Sequence, residues 1–111
     1  MPRDYRVYLD DILEATAKIK DYISGVNLEG LSADSKTLDA VIRNLEVIGE
    51  AVKKIPNEVR VKYPLVEWKK MAGLRDILIH EYYGIDVNII WDIIQNKLPV
   101  LEVEIKKILA K

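Results

Sequence analysis

The middle of the chain reads Gly73-Leu74-Arg75-Asp76-Ile77-Leu78-Ile79-His80-Glu81-Tyr82-Tyr83-Gly84. This stretch contains the single histidine of the chain, an arginine five residues before it and two adjacent tyrosines after it. Its apolar residues continue a helical pattern that begins upstream, so the stretch is predicted to form the second half of a core helix. Any chemistry of the protein is expected here.

The spacing within this stretch limits how its polar side chains can act together. On an α-helix, at about 100° per residue, Arg75 and Tyr82 fall within about 20° of one face. His80 lies about 140° round from Arg75, so one regular helix cannot direct all three side chains to one point. Either the helix ends near His80, with Gly84 as a left-handed cap, or a second copy of the segment completes the site across a two-fold axis. The second arrangement predicts a homodimer with a shared cleft.

The length of 111 residues predicts a single domain, spanning residues 1–111, with one core. Hydrophobic residues make up 50% and charged residues 32% of the chain, which is typical of a globular protein. Cysteine is absent, which excludes disulfides and thiolate metal sites, and one histidine argues against a zinc site within a single chain. We therefore expect neither a metal nor a cofactor.

The opening residues lack the apolar run of a signal peptide, and no stretch reaches membrane-spanning length. A cytoplasmic protein with no membrane partner is the expectation. The net charge of −1 argues against unspecific coating of nucleic acid. Between Lys53 and Glu81, however, seven basic residues stand against four acidic ones, a local excess of +3 that could attract a phosphate near His80. The alternative is a solvated helical surface whose lysines extend into water.

The spacing of apolar residues at intervals of three and four predicts helices throughout the chain. The first helix runs over about residues 4–24, and residues 25–32, with two glycines, are predicted to be a connection. The second helix begins near Ser32 or Asp34, either of which can cap it, and runs to the residue before Pro56.

Residues 57–63 allow a short extra helix between two prolines, and a third main helix is predicted over about residues 66–82. Asp86 can cap the last helix, in which Pro99 must kink or restart the chain because it cannot donate to the carbonyl of Gln95. The apolar residues of this helix have the alternating spacing of a heptad seam: Trp91, Ile94, Leu98, Leu101, Ile105 and Ile108. The predicted fold is all-α, an antiparallel up-and-down four-helix bundle with a short extra helix.

Gly49 interrupts the apolar pattern of the second helix, at a cost of about 1 kcal/mol relative to alanine. Another segment is therefore expected to approach closely at this position. The polar face of the helix carries Arg43, Asn44, Glu46, Glu50 and Lys53. These side chains either form ordinary ion pairs along the helix surface or support a site at Arg75 and His80.

The spacing Arg75-x4-His80-x-Tyr82 resembles the Arg-x4-His-x-Tyr motif of the HepT-like toxins, a family within the HEPN superfamily of helical prokaryotic proteins. A lone Arg-x4-His is common by chance, but the resemblance extends in order over nearly the whole chain. Its blocks are Arg3-Asp4-Tyr5-Arg6 through Tyr8-Leu9-Asp10-Asp11-Ile12, then Arg43-Asn44-Leu45-Glu46-Val47-Ile48-Gly49-Glu50-Ala51, then Trp68 to Arg75, and finally His80-Glu81-Tyr82-Tyr83-Gly84-Ile85-Asp86.

The resemblance implies a homodimeric ribonuclease that acts as the toxin of a toxin–antitoxin pair. Arg75 and His80 match the catalytic residues of the family. Tyr82 matches the tyrosine to which the antitoxin, a minimal nucleotidyltransferase, transfers AMP from ATP and so silences the toxin. Dimer contacts are an equal alternative for the supporting cleft positions that the family implies, Arg43, Asn44 and Glu50.

These residue types suit cleavage of RNA without a metal. A base takes the proton of the 2'-hydroxyl, which attacks the adjacent phosphate, while an acid protonates the leaving 5'-oxygen. Histidine titrates near neutrality and can fill either role, and the guanidinium of Arg75 can hold the phosphate by two hydrogen bonds. Two copies of His80 in a dimer could divide the acid and base roles.

An AMP group on Tyr82 would stand two residues from His80, where its bulk blocks the cleft and its phosphate pairs with Arg75. Tyr83, its neighbour, is expected to pack in the core or in a dimer interface. A different class of function is a non-catalytic helical module that serves as scaffold or substrate for a nucleotidyltransferase, or that binds a nucleotide. The intact pair of Arg75 and His80 favours the ribonuclease, because a scaffold would not need it.

Overall fold

The computed structural model describes residues 4–80 and 86–111, apart from the side chains of residues 77, 79 and 80. Within these ranges the chain is helical and contains no strand, which confirms the predicted all-α class. None of the helices in the described ranges is long and apolar enough to cross a membrane. The elements are α1 (Tyr5–Tyr22), α2 (Leu28–Ala33), α3 (Ser35–Lys53), α4 (Asn57–Arg60), α5 (Trp68–Ala72), α6 (Leu74–His80), α7 (Val87–Asp92), a π turn (Ile93–Lys97) and α8 (Leu98–Leu109).

Aspartate caps begin α3 and α7, as the sequence predicts. Asp34, rather than Ser32, caps α3: its carboxylate accepts the hydroxyl of Thr37 at 2.6 Å and the backbone N–H of the same residue at 3.1 Å. These two hydrogen bonds hold the pKa of Asp34 below its ordinary value. Asp86 caps α7 by accepting the backbone N–H of Asn88 at 2.9 Å.

The prediction of a plain connection over residues 25–32 is wrong, because α2 occupies most of this segment. Gly25, at a φ of 75°, turns the chain after α1, and Asn27 then caps α2 by accepting the N–H of Gly30 at 2.8 Å. A helix of 6 residues is too short to form alone in water. Leu31, which is fully buried, ties α2 to the rest of the core and stabilises it there.

The prediction of one continuous helix over residues 66–82 is also wrong within the described part of the chain. Gly73 separates α5 from α6, and its backbone N–H is shared between the carbonyls of Lys69 and Lys70 at 3.1 and 3.2 Å. This shared bond tightens the last turn of α5. The helix that follows begins again at Leu74, so the position of Arg75 depends on this break.

The last helix restarts where the sequence predicts. The N–H of Leu98 donates to the carbonyl of Ile93, five residues back, which is the bond of a π turn. Pro99 then lies in the first turn of α8, directly after this π turn, where it has no N–H to donate to the carbonyl of Gln95. The buried residues of the predicted seam are Ile94, Leu98, Leu101, Ile105 and Ile108, with Trp91 partly buried.

Helix α1 packs against both α3 and α8. It runs antiparallel to α8, because Arg6 near its start donates to the carbonyl of Lys111 at 2.7 Å, whereas Lys20 near its end donates to Glu102 at 2.6 Å. It also runs antiparallel to α3, since the start of α1 and the end of α3 line one groove. Helices α5 and α6 pack on α3 as well, which brings the arginine of the motif to that groove.

Candidate functional site

A close contact between α3 and the α5–α6 junction fixes the backbone of Arg75. A Cβ atom built on Gly49 would lie 3.2 Å from the backbone nitrogen of Arg75 and 3.3 Å from the carbonyl oxygen of Met71. Both distances are tighter than ordinary contact, so a glycine is required for this approach. The expected close approach at Gly49 is therefore confirmed, and the approaching segment is the one that contains the motif arginine.

The residue after Gly49 holds the side chain of Arg75. Glu50 Oε1 lies 3.1 Å from Arg75 Nε and 3.6 Å from Lys53 Nζ, and the same lysine nitrogen lies 3.9 Å from Asp76 Oδ1. Glu50 Oε1 is buried although the side chain as a whole is half-exposed, and it forms an ion pair with Arg75 without a hydrogen bond. Two carboxylates and two cations thus alternate across the α3–α6 contact.

A surface groove of about 260 Å³ opens beside this cluster, between the start of α1, the end of α3 and α6. Its charged lining comprises three basic and three acidic side chains, so the groove is electrically balanced. Arg75 is 45% exposed there and can be reached by a ligand. The lining residues are Tyr8, Asp11, Arg43, Glu46, Val47, Glu50, Ala51, Lys54 and Arg75.

Two of the three predicted supporting residues lie in the groove with Arg75, and one does not. Arg43 and Glu50 line it, and Arg43 also pairs with Glu46 at 3.7 Å along the helix. Asn44 donates from Nδ2 to the carbonyl of Ala40 at 2.9 Å and lines a separate depression of about 140 Å³. Glu50 contacts both Lys53 on its own helix and Arg75 on α6.

His80 is the last residue of α6 in the described part of the chain, and its side chain is outside the description. Tyr82 and the proposed cap Gly84 also lie outside the described residues. Along α6, His80 stands five residues from Arg75, which is about 7.5 Å of helix rise and about 140° of rotation. The two arrangements that the sequence leaves open, a helix end near His80 and a second copy of the segment, both remain predictions.

Three groove residues went unrecognised in the sequence. Tyr8 belongs to the apolar pattern of α1, and Asp11 belongs to an acidic pair that reads as solvated surface. Lys54 lies near the end of the second predicted helix, where it contributes to the local positive charge. All three could have been found from the antiparallel pairing of α1 with α3, because this pairing places the first turns of α1 beside the last turns of α3.

The described ranges contain no group of three or more histidine, aspartate or glutamate side chains that could hold a metal ion. The chemistry that the groove offers is that of a guanidinium and an ammonium, from Arg75 and Lys54, beside a tyrosine hydroxyl and carboxylates. Such a surface can bind a phosphate.

Comparison with known proteins gives several matches. The ribonuclease HepT-like family matches residues 12–108. A Methanocaldococcus jannaschii protein named "Putative RNase MJ0127" is 51% identical over 98% of this chain and 91% of its own length. "Putative RNase TTE0752" of Caldanaerobacter subterraneus subsp. tengcongensis is 43% identical over 96% of this chain and 95% of its own length. "Probable ribonuclease HepT" of Thermococcus cleftensis is 41% identical over 97% and 98%, respectively. No solved structure matches the chain.

The family match covers most of the chain, and these relatives align with it over nearly their full lengths. They confirm the family that the sequence motif indicates and support ribonuclease as the enzyme class. The chain belongs to the ribonuclease HepT-like family.

Proposed function

We propose that this chain is a metal-independent endoribonuclease whose catalytic residues are Arg75 and His80. The observation that carries the proposal is the half-exposed guanidinium of Arg75 in a groove, held through Nε by Glu50. A phosphate bound by two hydrogen bonds can use the terminal Nη groups, which the contact with Glu50 does not use. Membership of a ribonuclease family supports RNA as the substrate.

In the proposed reaction a base removes the proton of the 2'-hydroxyl, and the 2'-oxygen attacks the adjacent phosphorus. The bond to the 5'-oxygen breaks, an acid protonates that oxygen, and the products are a 2',3'-cyclic phosphate and a free 5'-hydroxyl. His80 can act as base or acid because imidazole titrates near neutrality. Arg75 stabilises the charge that develops on the phosphate oxygens.

The proposed assembly is a homodimer of four-helix bundles. The four helices of each bundle would be α1, α3, the α5–α6 pair and the segment from α7 to α8. A two-fold axis beside α6 would bring a second His80 to the shared cleft, so that one copy acts as base and the other as acid. The single histidine in each chain supports this division of roles, because one chain alone cannot supply both a histidine base and a histidine acid.

The proposed biological role is that of a toxin whose antitoxin is a minimal nucleotidyltransferase. The antitoxin would join the α-phosphate of ATP to the Tyr82 oxygen, which loses its proton as pyrophosphate leaves. The resulting AMP group would place an anion two residues from His80, where it competes with RNA for Arg75. Tyr82→Phe is therefore expected to stay toxic in cells that also produce the partner enzyme, and restored growth of that strain would contradict the proposed switch.

The decisive experiment is cleavage of total RNA by purified protein in the presence of a chelator. We expect Arg75→Ala and His80→Ala each to lower the rate about 100-fold or more, the usual effect of losing a charge-stabilising or proton-transferring group. Lys36→Ala, an exposed change at the far end of α3, is the matched control and should cleave normally. A wild-type protein that is free of AMP by mass and cuts no RNA would overturn the proposal and favour the scaffold function.

Mixed dimers test the division of roles between two histidines. Wild-type and His80→Ala chains carrying different tags are combined, and heterodimers are purified through both tags. If both copies of His80 serve one cleft, the heterodimer should lose most of its activity. Half of the wild-type activity, with each intact chain cleaving alone, would refute the shared arrangement while leaving the ribonuclease itself intact.

A further inference from the structure

A second groove lies at the end of the molecule where α1 begins and α8 ends. We call it the end groove. Its volume of about 420 Å³ exceeds that of the groove beside Arg75. The first turn of α1, the segment from α4 to the following loop, and the end of α8 enclose it. Its lining residues are Tyr5, Arg6, Val59, Lys62, Tyr63, Ile108 and Lys111.

The charge of the end groove differs from that of the Arg75 groove. Three of its lining side chains are basic, those of Arg6, Lys62 and Lys111, and none of the lining side chains in the described part of the chain is acidic. The guanidinium of Arg6 is held in place, because its Nη2 donates to the backbone oxygen of Lys111 at 2.7 Å. Lys62 and Lys111 are exposed, so an anion can approach them freely.

Two aromatic rings complete the lining. Tyr5 and Tyr63 are partly buried and pack against the hydrophobic core, which limits how far their rings can move. The backbone beside Tyr63 is tied down as well, since its carbonyl accepts the indole N–H of Trp68 at 3.0 Å. Positive charge combined with restrained aromatic rings is the surface on which single-stranded nucleic acid binds, with phosphates on the cations and bases against the rings.

The end groove also lies next to the Arg75 groove. Tyr5 lines the end groove and Tyr8 lines the Arg75 groove, and these residues are three apart on α1. Their separation on the helix is about 4.5 Å of rise and about 60° of rotation. A strand whose scissile phosphate sits at Arg75 can therefore continue around the start of α1 into the end groove.

We propose that the end groove binds the single-stranded RNA segment that flanks the cleaved bond. Arg6, Lys62 and Lys111 contact its phosphates, and Tyr5 and Tyr63 contact its bases. The inference rests on the proposed ribonuclease function, because it assigns a path to that enzyme's substrate. It predicts that RNA binding depends on residues far in sequence from the motif.

The test uses a fluorescent 2'-O-methyl oligonucleotide of about twelve nucleotides, a length within the range that single-strand binding surfaces cover. This probe cannot be cleaved because it lacks a free 2'-hydroxyl. Binding is followed by fluorescence anisotropy at several salt concentrations. Lys62→Ala should raise Kd about fivefold at low salt and reduce the slope of log affinity against log salt by about 0.7, the effect of one lost phosphate contact.

Tyr63→Leu should raise Kd while leaving the salt slope unchanged, since it removes a ring and no charge. Lys36→Ala, which also removes one exposed lysine, is the matched control and should bind like the wild type. Circular dichroism verifies that each variant is folded. Lys62→Ala, a change at an exposed residue, keeps the test decisive even if the tyrosine variant does not fold.

Cleavage kinetics provide a second readout. Lys62→Ala should raise KM for a twelve-nucleotide RNA about fivefold and leave KM for a dinucleotide unchanged, because a dinucleotide is too short to reach the end groove. Equal binding and equal KM in Lys62→Ala and Lys36→Ala would overturn the inference. A wild-type protein that binds the probe through Lys62 but cleaves nothing would instead refute the ribonuclease and retain the RNA-binding groove.

Discussion

Replacing Gly49 by alanine should destabilise the protein, although alanine normally stabilises a helix. The helix itself would gain about 1 kcal/mol. The new methyl group, however, would meet the backbone nitrogen of Arg75 at 3.2 Å, the carbonyl oxygen of Met71 at 3.3 Å and Cβ of Leu74 at 3.4 Å. Overpacking costs about 1–3 kcal/mol, and backbone atoms cannot rotate away as a side-chain end can, so the upper half of that range applies. The expected net loss in the free energy of unfolding is about 1–2 kcal/mol.

Gly73→Ala is the matched control for this substitution. Its new Cβ would have its nearest neighbours at 3.5 and 3.6 Å, which is ordinary contact, and its φ of −81° suits alanine. It should stabilise the protein by about 0.4–1 kcal/mol through the lower entropy of the unfolded chain. Both variants are measured by urea unfolding at one protein concentration, because self-association would make stability depend on concentration.

The two variants should also differ in activity. Gly49→Ala forces α6 away from α3 and so moves Arg75 relative to Glu50, whereas Gly73→Ala leaves that contact unchanged. RNA cleavage should therefore fall in the first variant only. If Gly49→Ala proves as stable and as active as Gly73→Ala, the close contact does not position Arg75 and the reasoning is refuted.

Three further changes test the fold. Arg60→Lys should cost about 1–2 kcal/mol in urea unfolding, because the guanidinium donates to the carbonyl of Val52 in α3 at 2.7 Å and to that of Ile55, just beyond α3, at 3.0 Å. An ammonium cannot make both hydrogen bonds in this geometry, and an unchanged midpoint would contradict this role. Leu45→Ala, at a fully buried site, should cost about 2–5 kcal/mol, whereas Ile89→Ala, at a residue that is 58% exposed, should change stability by less than about 0.5 kcal/mol; similar losses would show that the core is misassigned. Acidification should weaken the fold, because Thr37 hydrogen bonds and the hydrogen bonds from Lys97 and then Lys70 hold the pKa values of Asp34 and Glu67 below their ordinary 3.8 and 4.5. The stability that these two carboxylates contribute is present above their ordinary pKa values and is lost as the pH falls through their lowered pKa values. The double variant Asp34→Asn, Glu67→Gln should therefore show a smaller decrease in urea midpoint between pH 7 and pH 3 than the wild type.

Features of the fold that depend on local chemistry could be read from the sequence. The caps at Asp34 and Asp86 follow from a carboxylate placed before a helical pattern, and Pro99 restarts α8 because it lacks a backbone donor. Gly49 likewise signals a close approach, since no other reason offsets its cost within a helix. In each case the cause lies within a few residues of the effect.

Other features could not be predicted because their causes are distant in sequence. Helix α2 is too short to form alone, and the burial of Leu31 stabilises it. Gly73 separates α5 from α6 although its φ is helical. The sequence around it therefore does not show whether a glycine there is tolerated within one helix or ends it. The ion pair of Glu50 with Arg75 joins two helices, whereas the periodicity of each helix reports only which face is buried.

These distant contacts bring two separate blocks of sequence together. Gly49 admits the backbone of Arg75, and the next residue, Glu50, holds the guanidinium, so α3 determines where the motif arginine stands. The angle of about 140° between Arg75 and His80 along one helix therefore does not by itself determine where the guanidinium lies, because a residue of the neighbouring helix α3 contacts it. It follows that Glu50→Gln, which keeps the shape but removes the charge, should loosen Arg75 and alter KM for RNA. An unchanged KM in this variant would mean that the guanidinium is oriented by α6 alone.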